Sequence, residues 1–393
     1  MVLTIVLGCL AALSLVLTIW QLAVALGFPL HERQSMPERV YSPGVTVLKP
    51  LKGSDSQTAE CLRSWLAQPY AGDTQILFGV ASTSDPVCNL VQKLLADFPK
   101  ADAQLVICPE SLGPNAKVST LIQLMRLARH DVLIVADADV WIGHGVLAQI
   151  ISLLEDRTVG LVNCFYRLRL ADGANLAMRW EAFAVNADFW SQVLQSRSLK
   201  PLDFALGAVM ATTRAQLQKI GGFDSLAQYL ADDYQLGHRI AQSGGRILLS
   251  TMVAECRNAP MSLAEVWKHQ IRWARTIRVC QPWPYAFSQL HNPTLWPWIW
   301  AVWQPAGPVV AFAFLCLAGR MAVGWSCQRK LTGQTDWNSL WLAPAKDLLQ
   351  LFVWAMAFFG NQVQWRGELF KIKRGGKLMR SGPLRQSGSD EPL

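Results

Sequence analysis

The sequence predicts a mainly parallel α/β domain carried between membrane segments at its two ends. Three observations lead there. Short apolar runs of strand length recur between residues 45 and 163, and each of the first four is followed by a helical pattern. A charge-free stretch over residues 2–28 is long enough to span a bilayer. Two more apolar segments follow the central region, over residues 295–317 and 340–359.

Composition agrees with that division. The chain has 393 residues, 51% of them hydrophobic, with 17 Trp and a net charge of +8. That is too apolar for an ordinary soluble domain and too charged in the middle for a chain lying wholly in lipid. Basic residues gather where apolar segments end: Arg33, Arg39, Lys49 and Lys52 after the first, and Lys371, Lys373, Arg374, Lys377 and Arg380 after the last. This pattern suits an anionic leaflet and a cytoplasmic orientation. No basic stretch interleaved with stacking aromatics is present, so no nucleic acid partner is expected. The nine cysteines are dispersed without a C-x-x-C, as buried free thiols in a reducing compartment would be. The six histidines form no H-x-x-x-H pair, which argues against a His-based metal centre.

Taken in order, residues 1–28 form an N-terminal anchor. A cleaved signal peptide fits less well, because there is no basic n-region and the apolar run is too long. VTVL (45–48), QILFGV (75–80), AQLVI (103–107), DVLIVA (131–136) and VGLVN (159–163) read as buried strands. Helical patterns such as residues 85–98 and 116–129 separate them, which implies right-handed crossovers. In such sheets the ligand crevice lies outside the carboxyl ends of the strands. This central domain is assigned to residues 40–260. Ser262 and Glu265 have capping-box spacing and open an amphipathic interfacial helix in a segment assigned to residues 261–290. Residues 291–362 are read as C-terminal membrane segments, with Pro305, Pro308 and Pro344 near their ends. Residues 363–393 are read as a basic cytoplasmic tail, disordered from Ser381 onward.

Four stretches carry candidate chemistry. In DVLIVADADV (131–140) a buried strand ends at Asp137-Ala138-Asp139, and side chains two apart on a strand share a face. Two such carboxylates suit a hard divalent cation completed by phosphate oxygens; the competing reading is a solvated acidic turn. In LADDYQLGHRIAQSGG (230–245), Asp232 and Asp233 stand in a first helical turn. They either complement the helix dipole or supply a general base for an acceptor hydroxyl. In WKHQIRWARTIR (267–278), His269 and Trp273 share a face, and Arg272, Arg275 and Arg278 form a drifting basic stripe. The stripe meets lipid phosphates or, through Arg272, a diphosphate, with Trp273 as a wall for the acceptor. In LGPNAKVSTL (112–121) a turn precedes Lys117, which meets a phosphate or solvent. Gly207 allows a close backbone approach to a ligand.

In order and spacing, these elements resemble glycosyltransferase family 21, the ceramide glucosyltransferases and their bacterial, hopanoid-associated relatives. VLKPLKG (47–53) resembles the family's opening strand and uridine-side loop, and SDP (84–86) its first aspartate region. GPNAK (113–117) is similar to its asparagine–lysine turn, DAD (137–139) to its second aspartate element and AQYLADDY (227–234) to its third. HQIRW (269–273) stands in the place of the (Q/R)-x-x-R-W motif, and WRGELFKIKRGGKL (365–378) resembles the bacterial tail. Two departures stand out: Asp85 is the only acid of its region, and His269 replaces Gln or Arg.

The resemblance implies a GT-A fold (Rossmann-like) and an inverting single displacement using Mg²⁺ or Mn²⁺. It implies Asp139 as the metal ligand, Asp137 on the ribose side and Asp233 as catalytic base. Lys49, Pro50, Asp85, Asn115, Lys117, His269, Arg272 and Trp273 would bind substrate. The implied partners are a UDP-sugar, with glucose preferred, and a ceramide-like lipid at the cytoplasmic face of the bilayer. Transfer of N-acetylglucosamine from its UDP donor to a hopanoid polyol is the nearest rival. A catalytically silent membrane scaffold would keep the sheet and anchors without needing the acids.

Overall fold

The computed structural model describes residues 1–32, 41–170, 173–334, 336–365 and 368–380. Arg33, Arg39 and the tail from Ser381 lie outside the described residues. A long first helix, α1 (Val2–Gly27), leads into an α/β domain. Its first half alternates β1 (Val45–Pro50), α2 (Thr58–Leu66), β2 (Thr74–Val80), α3 (Val87–Asp97), β3 (Asp102–Ile107), α4 (Ala116–Met125) and β4 (Val132–Ala136). The second half runs through β5 (Val140–Trp141), α5 (Val146–Ser152), β6 (Val159–Arg169), α6 (Leu176–Phe183), α7 (Trp190–Leu199), β7 (Val209–Thr213), α8 (Arg214–Lys219), α9 (Asp232–Gln242) and β8 (Arg246–Arg257).

Eight strands form one sheet in the order β3-β2-β1-β4-β7-β6-β8-β5. The first four are parallel, and β7 enters antiparallel between β4 and β6. Residues of β1 and β4 are wholly buried, as expected of parallel strands covered on both faces. Their period-two alternation sorts the core. Leu48, Leu77 and Leu133 face α4, α7 and α9, whereas Val45, Val47 and Ile134 face α2, α3 and α5. The chain moves outward from β1 to β3 and then returns to β4 on the other side of β1. The order therefore reverses between β1 and β4, and a crevice opens at their carboxyl ends.

Beyond the sheet come α10 (Leu263–Cys280), α11 (Pro282–Phe287), α12 (Leu295–Trp303), α13 (Gly307–Thr332) and α14 (Leu342–Phe358). The Ser262–Glu265 capping box starts α10. Among the described residues two helices, α1 and α13, are long and apolar enough to cross a membrane. The apolar segment expected over 295–317 is divided. Pro305 sits in the break between α12 and α13, where a proline disfavours helix in the residue before it. The longer helix then continues to Thr332 and carries Arg320 inside it, a charge at which a search for apolar runs stops. The inner ends of α1 and α13 rest on the sheet: Ala25, Val323, Cys327 and Leu331 join the core beside Phe165 and Trp190.

The expected basic tail is not a tail up to residue 380. Residues 362–380 form an antiparallel sheet of β9 (Gln362–Trp365), β10 (Glu368–Ile372) and β11 (Leu378–Arg380), with its own core of Val363, Phe370, Ile372 and Leu378. Its alternation of apolar and charged residues is a strand pattern that the high Lys and Arg content masked.

Candidate active site

The parallel register of β1 and β4 places Leu48 beside Val135, so Lys49 and Pro50 come level with the end of β4 and the aspartates after it. Lys49 is fully buried. Its Nζ donates to the Asp137 carbonyl at 2.7 Å and lies 4.7 Å from the Trp65 ring centroid. Burial lowers its pKa to about 8, even though Asp137 and Asp139 pull the other way. Pro50 closes β1 opposite Gly79. Asp139 is pushed up to about 6, by burial and then by the neighbouring Asp137. The β4 end is partly buried, with Asp137 and Asp139 half-exposed.

A second layer arrives from α4 and α9. Asn115 caps α4, its side chain accepting from Val118 N–H at 3.1 Å and donating to the Tyr229 carbonyl at 2.7 Å. That cap aims Lys117 inward, where Nζ pairs with Asp137 Oδ1 at 2.8 Å and with Asp232 Oδ2 at 3.0 Å. Burial opposes the Lys117 charge, but Asp137, Asp232 and Asp233 hold its pKa well above the usual value. Asp233 is pushed up to about 6 by burial and then by Asp232. Gly207 lies against it: a Cβ built there would sit 2.7 Å from Asp233 Oδ2. The close approach read from the sequence is thus to a carboxylate of the protein.

Tyr166, on β6, was not singled out in the sequence. It is pushed well above its ordinary pKa by burial and by the charges of Cys256, Asp233, Asp137 and Asp139, so one phenol senses all three aspartates. From it an aromatic series runs outward. Tyr166 meets Phe189 at 5.7 Å, Phe189 meets Trp273 at 6.3 Å, and Trp273 meets His269 at 4.6 Å between centroids. His269 Nδ1 lies 2.7 Å from Glu181 Oε1, which also accepts from Gln270 at 2.9 Å. Glu181 is 2% exposed and was likewise not read from the sequence. In isolation it is one acid in an apolar helix, and only the packing of α6 against α10 gives it partners. Arg272 is half-buried on the same helix.

A glycosyltransferase family 21 model matches residues 4–378. The chain belongs to glycosyltransferase family 21. Ceramide glucosyltransferase 3 of Caenorhabditis elegans is 22% identical over 86% of this chain and 74% of its own length. The ceramide glucosyltransferase of Candida albicans is 35% identical over a shorter region, 31% of this chain and 25% of its own. Among solved structures, a mannosyltransferase from Pyrobaculum calidifontis, in complex with GDP-mannose and Mn²⁺, superposes with a TM-score of 0.55 at 18% identity. The match covers 91% of this chain and 98% of that one, and it supports the GT-A fold.

Within this family 21 glycosyltransferase the remaining sequence-read residues take different positions. Asp85 is committed to backbone: both its oxygens lie 3.0 Å from Gly53 N, and Oδ1 also accepts from Val87 N–H at 3.0 Å. It shapes the loop after β1 and has no contact with the carboxylates at β4. The arginine stripe is divided too. Arg275 donates to the carbonyls of Phe359 and Gln362, and Arg278 to the Asn361 side chain. Those two hold the segment leading into β9 instead of facing lipid phosphates. All nine cysteines are free, and Cys61 and Cys280 are pushed up to about 12 by burial, so neither is a thiolate at neutral pH.

The donor set fits a divalent ion. Asp137, Asp139, Asp232 and Asp233 gather around Lys49 and Lys117, four carboxylates against two ammonium groups. Lys117 occupies one oxygen of Asp137. Among the described residues no group of three or more His, Cys, Asp or Glu side chains gathers in metal-binding geometry. A site of one or two carboxylates completed by phosphate oxygens and water is the kind Mg²⁺ and Mn²⁺ occupy with nucleotides.

Proposed function

We propose that the chain moves a hexose, glucose in the first instance, from a UDP-sugar to the hydroxyl of a ceramide-like lipid at the cytoplasmic membrane face. One observation carries the reading. An acid-rich crevice at the strand-order reversal leads, through an aromatic wall, to the amphipathic helix α10, in a chain that also has two helices of membrane length. Ceramide glucosyltransferases among the relatives support the acceptor class, and the basic residues flanking the apolar segments support the orientation.

In this reading the acceptor oxygen attacks the anomeric carbon, the bond to the diphosphate breaks, and the configuration inverts. Asp233 takes the acceptor proton, and its raised pKa suits a base working near neutrality. Lys49 and Pro50 line the uridine side with the loop that Asp85 shapes, and Asp137 faces the ribose. Asn115 sets Lys117 beneath the diphosphate. Asp139 would hold Mg²⁺ or Mn²⁺, which when bound neutralises charge on the departing diphosphate. Arg272 and Trp273 close the site, and His269, fixed by Glu181, borders the acceptor.

The test is transfer from radiolabelled UDP-glucose to ceramide in detergent, with Asp233→Asn as control. Lipid extract plus other UDP-sugars forms the second arm. Equal incorporation by wild type and variant would remove Asp233 as base. Incorporation of N-acetylglucosamine into a polyol lipid would move the acceptor class to hopanoids, and no incorporation with any pair would leave only a scaffold.

A further inference from the structure

Asp233 has little of its own to hold it. Among the described residues its carboxylate accepts one hydrogen bond, from Tyr234 N–H at 2.7 Å. Its place is therefore set by the backbone leading into α9. That backbone, residues 227–231, is gripped on two sides. On the donor side, Asn115 N–H donates to the Ala227 carbonyl at 3.1 Å and its side chain to the Tyr229 carbonyl. On the other side lies the C-terminal sheet. Tyr229 pairs with Lys377 in an antiparallel bridge. Leu230 N–H donates to the Gly376 carbonyl at 3.1 Å, and Leu378 N–H to the Gln228 carbonyl at 2.7 Å. The Leu230 side chain is buried in the core formed by Val363, Phe370, Ile372 and Leu378.

The contact is built from both partners. Gly375 and Gly376 both take the left-handed conformation, with φ of 78° and 84°, which lets the chain turn between β10 and β11 and present the Gly376 carbonyl. Gln235 of α9 reaches the Gly375 carbonyl at 3.4 Å. A Cβ at Gly376 would lie 3.7 Å from Cys280 Sγ, and Cys280 senses the Asp233 charge. The far end of the sheet is held by Arg275 and Arg278 of α10, the helix that also carries Arg272 and Trp273. A loosely attached tail would not need a backbone splice of two hydrogen bonds two residues before α9.

We propose that the C-terminal sheet, residues 362–380, is a positioning element of the transfer site: through Leu230, Gly376 and Leu378 it fixes the loop that carries Asp233. This rests on Asp233 acting as the base. The sheet bonds to the base loop and to α10, so its larger effect is expected on the transfer step and a smaller one on donor capture.

The experiment uses the full chain in detergent with UDP-glucose and ceramide. Leu230→Ala removes the docked side chain, and Gly376→Ala strains the turn; Leu230→Val is the milder trim should either fail to fold. Turnover, the donor KM, UDP–Mn²⁺ affinity by calorimetry and the thermal midpoint are read together. The expected result is a kcat lower by about a hundredfold, as when a reacting group is displaced by about an ångström. Donor KM and UDP affinity should stay within about twofold, and for Leu230→Val the loss should be smaller but of the same kind. Unchanged kcat in folded variants would overturn the proposal. So would a loss shared equally by kcat and UDP affinity, or one that tracks the folded fraction, because either describes a purely structural sheet. Wild-type inactivity in the same assay would instead count against the function proposed above.

Discussion

Two knots of charge among the described residues differ in their balance. At the sheet, Lys49 and Lys117 face Asp137, Asp139, Asp232 and Asp233, and Asp139 and Asp233 are pushed up to about 6. Among the helices, Arg320 Nη2 meets Asp188 at 2.7 Å and its Nε meets Asp347 at 2.9 Å, while Lys346 pairs with Asp188 at 2.6 Å. There the count is two against two. Asp188, on the π-helical turn between α6 and α7, is held well below the usual carboxylate range: burial opposes this, but Arg320 and Lys346 outweigh it. A balanced knot keeps its protons and asks for nothing more. In the proposed function, an acid-rich one receives a cation and moves a proton. The same residue types thus make a strut in one place and a candidate reaction centre in the other.

The comparison breaks most sharply at Asp233. Asp233→Asn should lower transfer by about 10²–10⁴-fold with little change in donor KM, the range for a lost general base. With wild type, activity should fall as pH drops through about 6, because a carboxylate with a raised pKa is deprotonated, and active, only above that value. An acid limb that persists unchanged in Asp233→Asn would assign it elsewhere, since coupled groups titrate jointly.

The balanced knot should respond in stability. Arg320→Met leaves buried carboxylates short of a partner and should cost about 3–5 kcal/mol, read as a lower thermal midpoint in detergent. Adding Asp347→Leu should recover part of that loss. A single variant as stable as wild type would mean that the knot is not a strut. Asp139→Asn should lower transfer by about 10²–10³-fold and raise the Mn²⁺ concentration needed for half-maximal rate, and chelation should silence wild type reversibly. The smallest effect is expected at His269→Gln. An amide keeps a donor for Glu181, so the change should stay within about 1 kcal/mol. A larger loss would show that the imidazole itself is required.

Sequence legibility followed burial. Strands β1, β2 and β4 are buried and largely apolar, and β3, though partly exposed, keeps the short run Leu105–Ile107. In contrast, β7 (VMATT) is only weakly apolar, and β8 mixes Arg, Ser, Thr and Glu into its run, so neither announced itself. The aspartates at β4 and α9 were visible because acids at a strand end or helix start have few uses. Tyr166 and Glu181 were not, because their importance lies in what packs beside them. Asp85 was legible as an acid near a loop, but its backbone partners, Gly53 and Val87, come from the fold. The C-terminal strands were hidden by their lysines, although Phe370 and Ile372 keep the alternation of a half-buried strand.

Lys117 has one further consequence. A single ammonium ties the end of β4 to the first turn of α9, and in the function proposed above an arriving pyrophosphate would compete for the same N–H groups. On that proposal, occupancy of the nucleotide half would be felt at Asp232, next to Asp233, before any lipid has entered. Such wiring favours an ordered sequence in which the sugar nucleotide binds first and the membrane substrate second.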